Sequence, residues 1–190
     1  MSDYPVAAIA GETTHDSEEQ ALVERACGDP SAFALLYRRY YNDVAGYVHR
    51  RLGDRHATED VVAEVFLAVI RSLGRYRHRG LPFRAWLFRI ATNSVNRWLR
   101  RNRRRTSAVL AEQAATAVSA HSPEDRAEAD IALKAMLALS PKHQTALSLH
   151  YLEGLSVEDV AMIVGCRVGT VKSRLSRARQ ALQRELLRRR

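Results

Sequence analysis

Residues 165–180 read GCRVGTVKSRLSRARQ, a Gly-Cys turn followed by a helical pattern. Apolar side chains recur at i, i+4, i+7 and i+11, which is one stripe of an α-helix. They are Val171, Leu175, Ala178 and Leu182. Cations and small hydroxyls occupy the remaining positions, so the pattern predicts a helix that packs on its own domain and contacts a negatively charged partner.

The preceding residues supply the other half of a helix-turn-helix. Ser156 stands three residues before Asp159, which is the spacing of a capping box. A small residue at Ala161 allows close helix approach, Gly165 permits a turn that a Cβ disfavours, and Val171 anchors the second helix. Such a unit places its second helix in a DNA major groove. A helical hairpin with a solvated basic face is the structural alternative.

Charge is unevenly distributed along the 190 residues, whose net charge is +9. Residues 31–105 carry +12 and residues 131–190 carry +7, whereas residues 1–30 and 106–130 carry −6 and −4. Two basic blocks separated by an acidic stretch predict two modules that bind a polyanion.

Helical signals without alternating strand patterns predict an all-α fold of two small domains joined by a flexible linker. Asp29-Pro30 and Ser140-Pro141 are cap-and-proline helix starts, a third helix is expected to open at Thr58, and a long helix follows Phe83. The predicted segments are a disordered tail at 1–17, an N-terminal domain at 18–103, a linker at 104–122 and a C-terminal helix-turn-helix domain at 123–190.

Composition also limits the function classes. The two cysteines, Cys27 and Cys166, are far apart and belong to no Cys/His cluster, so neither a disulfide framework nor a metal or cofactor site is predicted. The sequence shows neither a membrane-spanning apolar run nor a signal-peptide pattern. We therefore expect a reduced, cytoplasmic protein without membrane insertion.

Two long stretches resemble one protein family. Residues 138–182, ALSPKHQTALSLHYLEGLSVEDVAMIVGCRVGTVKSRLSRARQAL, resemble the C-terminal DNA-binding domain of bacterial RNA polymerase sigma factors of the extracytoplasmic-function (ECF) type. Residues 32–54, together with ATEDVVAEVFLAVIRSL at 57–73 and PFRAWLFRIATNSVNRWLRR at 82–101, resemble their N-terminal domain. Either motif alone is less specific, but both in family order indicate a sigma factor.

The resemblance implies partners and site residues. Asp60 and Glu64 lie at i and i+4 of the helix that, in the family, docks on a coiled coil of the polymerase β′ subunit. Promoter DNA is the second implied partner. Because family members are often held by an anti-sigma factor, such a factor is a third candidate.

Two groups of residues correspond to the family's promoter-reading positions. Aromatic and cationic side chains suit base stacking and phosphate contact, and Asn and Arg can contact base edges or the backbone. The −10 candidates are Tyr76, His78, Phe83, Trp86, Asn93, Asn96, Arg97 and Arg100; the −35 candidates are Thr170, Lys172, Ser173, Arg174 and Arg177.

The predicted function is that of a promoter-specificity subunit, which binds core RNA polymerase, directs it to promoters and helps open DNA without performing covalent chemistry itself. A stand-alone helix-turn-helix regulator is the alternative, and it predicts promoter binding without polymerase. A recombinase or transposase would need a nucleophile or a carboxylate triad, and the acids of residues 31–105 form no convincing metal site.

Overall fold

The computed structural model describes residues 9–77, 81–102 and 123–189, with side chains described from residues 17 and 128 onward in the first and last of these ranges. Every regular element in them is helical, which confirms the all-α prediction. The helices are α1 (Ile9–Ala26), α2 (Pro30–Leu52), α3 (Arg55–Leu73), α4 (Phe83–Arg101), α5 (Pro123–Leu137), α6 (Pro141–Leu147, continued by a π-helical turn at Ser148–Leu152), α7 (Val157–Val164) and α8 (Val168–Arg189).

Helix α1 begins earlier than the sequence predicts. The sequence predicts a disordered tail at residues 1–17, whereas the helix in the structure begins at Ile9. Val23 and Ala26 are buried, and the Tyr40 hydroxyl of α2 donates a hydrogen bond to the carboxylate of Glu19. Once these contacts hold α1 in place, each further residue toward its N-terminus adds one backbone hydrogen bond without a new nucleation step.

Two residues with clear roles mark the start and the end of α2. The Asp29 carboxylate accepts a 2.8 Å hydrogen bond from the Ser31 amide at the start of α2. Gly53, at φ 69°, ends the helix in the left-handed conformation that glycine adopts without strain. The predicted start of α2 is therefore confirmed.

The predicted start of α3 at Thr58 is wrong by one turn. Asp54 is the N-cap, and its carboxylate accepts a 2.8 Å hydrogen bond from the Ala57 amide. Thr58 is already helical, with its hydroxyl donating to the Asp54 carbonyl at 2.6 Å. Glu59 and Asp60 consequently lie in the second turn rather than the first.

The N-terminal domain has a core built by α2, α3 and α4. The Tyr47 hydroxyl and Thr92 Oγ1 form a buried 2.8 Å hydrogen bond, and the Tyr47 ring lies edge-on to Phe88 at 5.5 Å between centroids. Burial raises the pKa of Tyr47. Val44, Val61 and further apolar side chains fill the surrounding space: Val48, Val65, Leu87, Ala91 and Val95.

The C-terminal domain packs α5, α6 and α7 around the first half of α8. Ser156 Oγ accepts a 2.9 Å hydrogen bond from the Asp159 amide and donates to the Asp159 carboxylate at 2.6 Å, which confirms the capping box at the start of α7. Val171, Leu175 and Ala178 are all buried, as their periodicity predicts. The predicted linker at 104–122 lies outside the described residues.

The two domains contact each other directly. Helix α2 packs against α5 and the π-helical turn, and α4 packs against α7. Side chains reach across the junction as well, since Arg84 of α4 donates a hydrogen bond to the backbone carbonyl of Glu153. In the described ranges no helix is both long and apolar enough to span a membrane.

Candidate nucleic-acid and polymerase interfaces

The turn of the helix-turn-helix has the geometry that its sequence predicts. Gly165 has φ 66° and ψ 46°, and its amide donates to the Ala161 carbonyl. The next amide, that of Cys166, donates to the same carbonyl at 3.1 Å. Ala161 and Val171 are buried between the two helices, so α8 leaves the turn at a fixed angle.

Helix α8 brings four of the five −35 candidates onto one face. Thr170, Ser173, Arg174 and Arg177 follow the i, i+3, i+4, i+7 spacing, and Lys172 lies on the flank of that face. Residues 172, 173 and 177 are exposed, and residues 170 and 174 are half-buried. The buried stripe of α8 points into the domain, so these polar groups are available to a ligand outside it.

Local contacts order part of this face. Ser173 Oγ donates a 3.0 Å hydrogen bond to the Thr170 carbonyl, one turn earlier. Arg174 Nη1 lies 3.6 Å from Cys166 Sγ, a weak acceptor in the turn. Arg174 is therefore partly oriented before any ligand binds, and this reduces the rotamer entropy lost on binding.

An aromatic cluster lies where the loop before α4 meets the helix. It consists of Tyr76 from the loop and Phe83 and Trp86 from the first turn of α4. The ring centroids are 5.7 Å apart for Tyr76 and Phe83, 5.0 Å for Tyr76 and Trp86, and 5.5 Å for Phe83 and Trp86. The Tyr76 hydroxyl donates a 3.0 Å hydrogen bond to the Leu81 carbonyl. Phe83 is only 3% exposed, so it supports the other two rings from below; His78 lies outside the described residues.

Polar side chains of α4 continue from this cluster along one face of the helix. Asn93, Arg97 and Arg100 are exposed, and Asn96 is half-buried. The Asn96 Oδ1 atom accepts a 3.4 Å hydrogen bond from Arg51 Nη2. Helical spacing places Trp86 on the same face. The −10 candidates of α4 other than the buried Phe83 therefore share one face of the helix.

Sequence reasoning missed Arg89 on this face. Arg89 is exposed and lies one turn before Asn93 and one turn after Trp86. The same spacing that selected Asn93 and Arg97 would have selected it. The face therefore carries one more cation than the sequence prediction assigned to it.

Helix α3 presents an acidic face away from its core. Asp60 and Glu64 are exposed one turn apart, while the opposite side of the helix is buried. The buried side chains include Val61, Val65, Phe66 and Val69.

Two exposed apolar residues extend this acidic face. Leu67 is 50% exposed and follows Glu64 at nearly one turn. Ile70 follows the buried Val69 in the apolar run of α3, but it is 53% exposed because the core contacts only part of that run. We call Asp60, Glu64, Leu67 and Ile70 the α3 docking face.

Comparisons with known proteins match both domains. Residues 36–105 match the family model for Sigma-70 region 2, and residues 129–182 match that for Sigma-70 region 4. The chain is 37% identical to the RNA polymerase sigma-H factor of Pseudomonas aeruginosa, over 89% of this chain and 94% of that protein. The chain belongs to the RNA polymerase sigma factors.

The ECF type follows from further relatives. The sigma factor is 39% identical to the ECF RNA polymerase sigma-E factor of Haemophilus influenzae, over 88% of its own length and 95% of that protein. It is also 34% identical to the ECF RNA polymerase sigma factor BldN of Streptomyces coelicolor, although it spans only 64% of that relative. The sigma-factor prediction is confirmed, and the stand-alone regulator is not favoured.

Solved structures share the fold. One is CnrH in complex with the cytosolic domain of CnrY, at a TM-score of 0.68 and 24% identity over 87% of this chain and 95% of that chain. Another is the sigma factor RpoE of Bartonella quintana in complex with the anti-sigma factor NepR. Its TM-score is 0.64 and its identity 28%, over 82% of this chain and 96% of that chain.

The described part of the sigma factor contains no cluster of three or more His, Cys, Asp or Glu side chains that could hold a metal ion. Cys27 is exposed and Cys166 is half-buried, and neither forms a disulfide.

Proposed function

We propose that this ECF sigma factor uses three separate faces at transcription initiation. The α3 docking face binds the β′ coiled coil of core RNA polymerase, the polar face of α4 with Tyr76 and Trp86 binds the −10 element, and the polar face of α8 binds the −35 element. The observation that carries this assignment is the exposed acidic pair on α3 within a domain whose sequence at 31–105 has a net charge of +12.

The acidic pair suits a basic protein partner. Asp60 and Glu64 would repel DNA phosphates, so their exposure on a basic domain favours another ligand. Compensation of the α3 dipole does not account for them, because the effect is confined to the first turn and the helix begins at Arg55. Leu67 adds apolar area beside the carboxylates, as is usual at the centre of a protein interface.

The −10 face combines the groups needed to hold separated strands. Half-buried Tyr76 and Trp86 offer aromatic rings for an unstacked base, and exposed Arg89, Arg97 and Arg100 can contact the phosphates around it. Asn93 can accept and donate hydrogen bonds at a base edge.

The −35 face on α8 has the composition of a major-groove reader. Arg174 and Arg177 can form bidentate hydrogen bonds to guanine, and Thr170 and Ser173 can bind bases or phosphates. Lys172 on the flank is placed for a backbone contact.

The protein supplies location and strand opening, and we propose that polymerase performs all the covalent chemistry. Its place of action is then the cytoplasm, where polymerase meets the chromosome. The complex of the related RpoE with the anti-sigma factor NepR supports an anti-sigma factor as a third partner.

Run-off transcription with purified core polymerase tests the proposal. Core polymerase alone should give no specific transcript, and addition of the sigma factor should give a discrete transcript from a promoter it recognises. Sequence-specific DNA binding without polymerase, combined with no stimulated transcription on the bound promoters, would refute it.

A further inference from the structure

Two polar contacts, one helical turn apart, join α2 and α4 inside the N-terminal domain. In the first, the Tyr47 hydroxyl and Thr92 Oγ1 form the buried 2.8 Å hydrogen bond. In the second, Arg51 Nη2 donates to Asn96 Oδ1 at 3.4 Å. Because each helix contributes residues at i and i+4, the two contacts together fix the register and rotation of α4 against α2.

The guanidinium of Arg51 has more donors than acceptors around it. Arg51 is 1% exposed, and within the described ranges no carboxylate forms an ion pair with it. Its Nε atom is buried without a hydrogen-bond partner, and Nη1 donates to Gln144 Oε1. Since a buried donor without a partner costs free energy, the Oδ1 atom of Asn96 is held toward Arg51.

This contact determines which end of the Asn96 amide is free. If the amide turned over, its NH2 group would face the guanidinium of Arg51, which carries five donors and no acceptor. With Oδ1 toward Arg51, the Nδ2 atom is the free end, and it forms no hydrogen bond within the described part of the chain. Half-buried Asn96 therefore presents an amide donor at the edge of the −10 face, one turn after Asn93.

We propose that Asn96 reads one base of the −10 element as a hydrogen-bond donor only, and that Arg51 is the positioning residue that imposes this. The inference rests on the proposed function, in which α4 binds the −10 element. An asparagine that is free to turn can form paired hydrogen bonds with N6 and N7 of adenine. Asn96 cannot, because its oxygen is turned inward to Arg51.

The chemistry of the base edges then sets the preference. Guanine O6 and thymine O4 accept hydrogen bonds, whereas adenine and cytosine carry a donating amino group at the equivalent position. The NH2 group of Asn96 therefore favours guanine or thymine over adenine or cytosine at the position that it contacts.

Transcription from a randomised −10 element tests this preference. Holoenzyme reconstituted with core polymerase transcribes a library built on a promoter that the wild type uses, and the transcribed templates are counted by sequencing. At one position the wild type should favour guanine and thymine about fivefold, as expected for one hydrogen bond, and Asn96→Ala should lose the preference. Asn96→Asp should favour adenine and cytosine there, because a carboxylate accepts from their amino groups. Asn42→Asp, the same change at an exposed residue of α2, is the matched control and should keep the wild-type preference.

Two variants of Arg51 separate positioning from a purely structural role. Arg51→Met keeps much of the apolar volume but removes every donor, so the Asn96 amide becomes free to turn and the preferred base should shift toward adenine. Arg51→Lys retains a donor and should keep the wild-type preference. Loss of structure alone would lower transcription from all templates alike. Circular dichroism confirms that each variant is folded.

Thermal unfolding of the free protein tests the contact without polymerase or DNA. Asn96→Asp gives the guanidinium of Arg51 a carboxylate partner, so it should raise the melting temperature. In the Arg51→Met background the same substitution should no longer do so, because the cation is gone.

The inference is wrong if Asn96→Ala changes the base preference at no position, if Asn96→Asp prefers the same bases as the wild type, or if Arg51→Met lowers transcription from all templates equally. It is also wrong if Asn96→Asp shifts the melting temperature equally with and without Arg51. Failure of the proposed function would instead appear as absence of transcription by the wild-type holoenzyme from every template.

Discussion

The guanidinium of Arg174 lies 3.6 Å from the thiol sulfur of Cys166, so the turn of the helix-turn-helix contacts a side chain on the second helix of the motif. The contact links two parts of one motif: Gly165 and Cys166 set the turn, and Arg174 extends from the second turn of α8. The same residues that fix the helix angle also restrict the position of a candidate base-reading group.

Arg174→Ala and Arg177→Ala should each cost about 1–3 kcal/mol in promoter binding and relax the preference for bases within the −35 element. The reason is loss of bidentate hydrogen bonds to base edges. Transcription from matched and mismatched promoters by reconstituted holoenzyme provides the measurement. An equal fall on both promoters would assign the arginines to phosphate contact alone.

The double variant Asp60→Lys/Glu64→Lys should bind core polymerase much more weakly, because complementary charge across an interface raises the association rate and fixes the register. Exposed substitutions usually change folding stability by less than about 0.5 kcal/mol, so the domain should remain folded. Co-purification with core polymerase is the measurement. Glu18→Lys/Glu24→Lys on α1 is the control, and normal co-purification of the α3 variant would contradict the docking assignment.

Arg89→Ala should weaken promoter binding by the holoenzyme almost equally on all sequences and reduce the salt dependence of the binding constant by about one unit, as expected for the loss of one phosphate contact. Arg38→Ala, which removes an exposed cation from α2, serves as the comparison. An unchanged salt slope would place Arg89 outside the DNA interface.

The half-buried side chain of His49 should make the free energy of unfolding fall in mild acid. Burial and, to a smaller extent, the nearby Arg50 lower the pKa of His49 from its ordinary value of 6.5, and Asp54 only partly offsets them. Its Nε2 atom is buried without a hydrogen-bond partner, and His49 and Arg179 of α8 line one groove between the two domains. The unfolded chain therefore takes up a proton before the folded one does, and stability falls as the pH decreases from above 6.5 through the lowered pKa.

Chemical denaturation of wild type and His49→Gln at several pH values measures this effect. The variant should lose less stability between neutral and mildly acidic pH than the wild type does, and His56→Gln, at an exposed position, should behave as wild type. Protonation of Glu153 acts in the opposite direction, because its raised pKa favours proton uptake by the folded state. Equal pH dependence of His49→Gln and wild type would refute the assignment.

Local chemistry made much of the fold predictable. Caps at Asp29 and Ser156 and the left-handed glycines Gly53 and Gly165 act over three or four residues, so the sequence reveals them. The start of α3 was less clear, because Asp54 and Thr58 are both suitable caps and only the Ala57 hydrogen bond distinguishes them.

Contacts that are distant in the chain were not predictable in the same way. Arg50 and Glu153 are 103 residues apart, and no periodicity relates them. The exposure of Ile70 likewise depends on which part of α3 meets α2 and α4. The candidate faces on α4 and α8 are recognisable from the sequence because each lies on a single helix, whereas the contact between Arg50 and Glu153 needs both domains.

The exposure of Asp60 and Glu64 in the packed molecule has a kinetic consequence. A basic partner helix could meet these carboxylates without any prior rearrangement of the two domains, because both side chains are already exposed. The association rate with such a partner would then be set by diffusion and complementary charge rather than by a slow change of conformation.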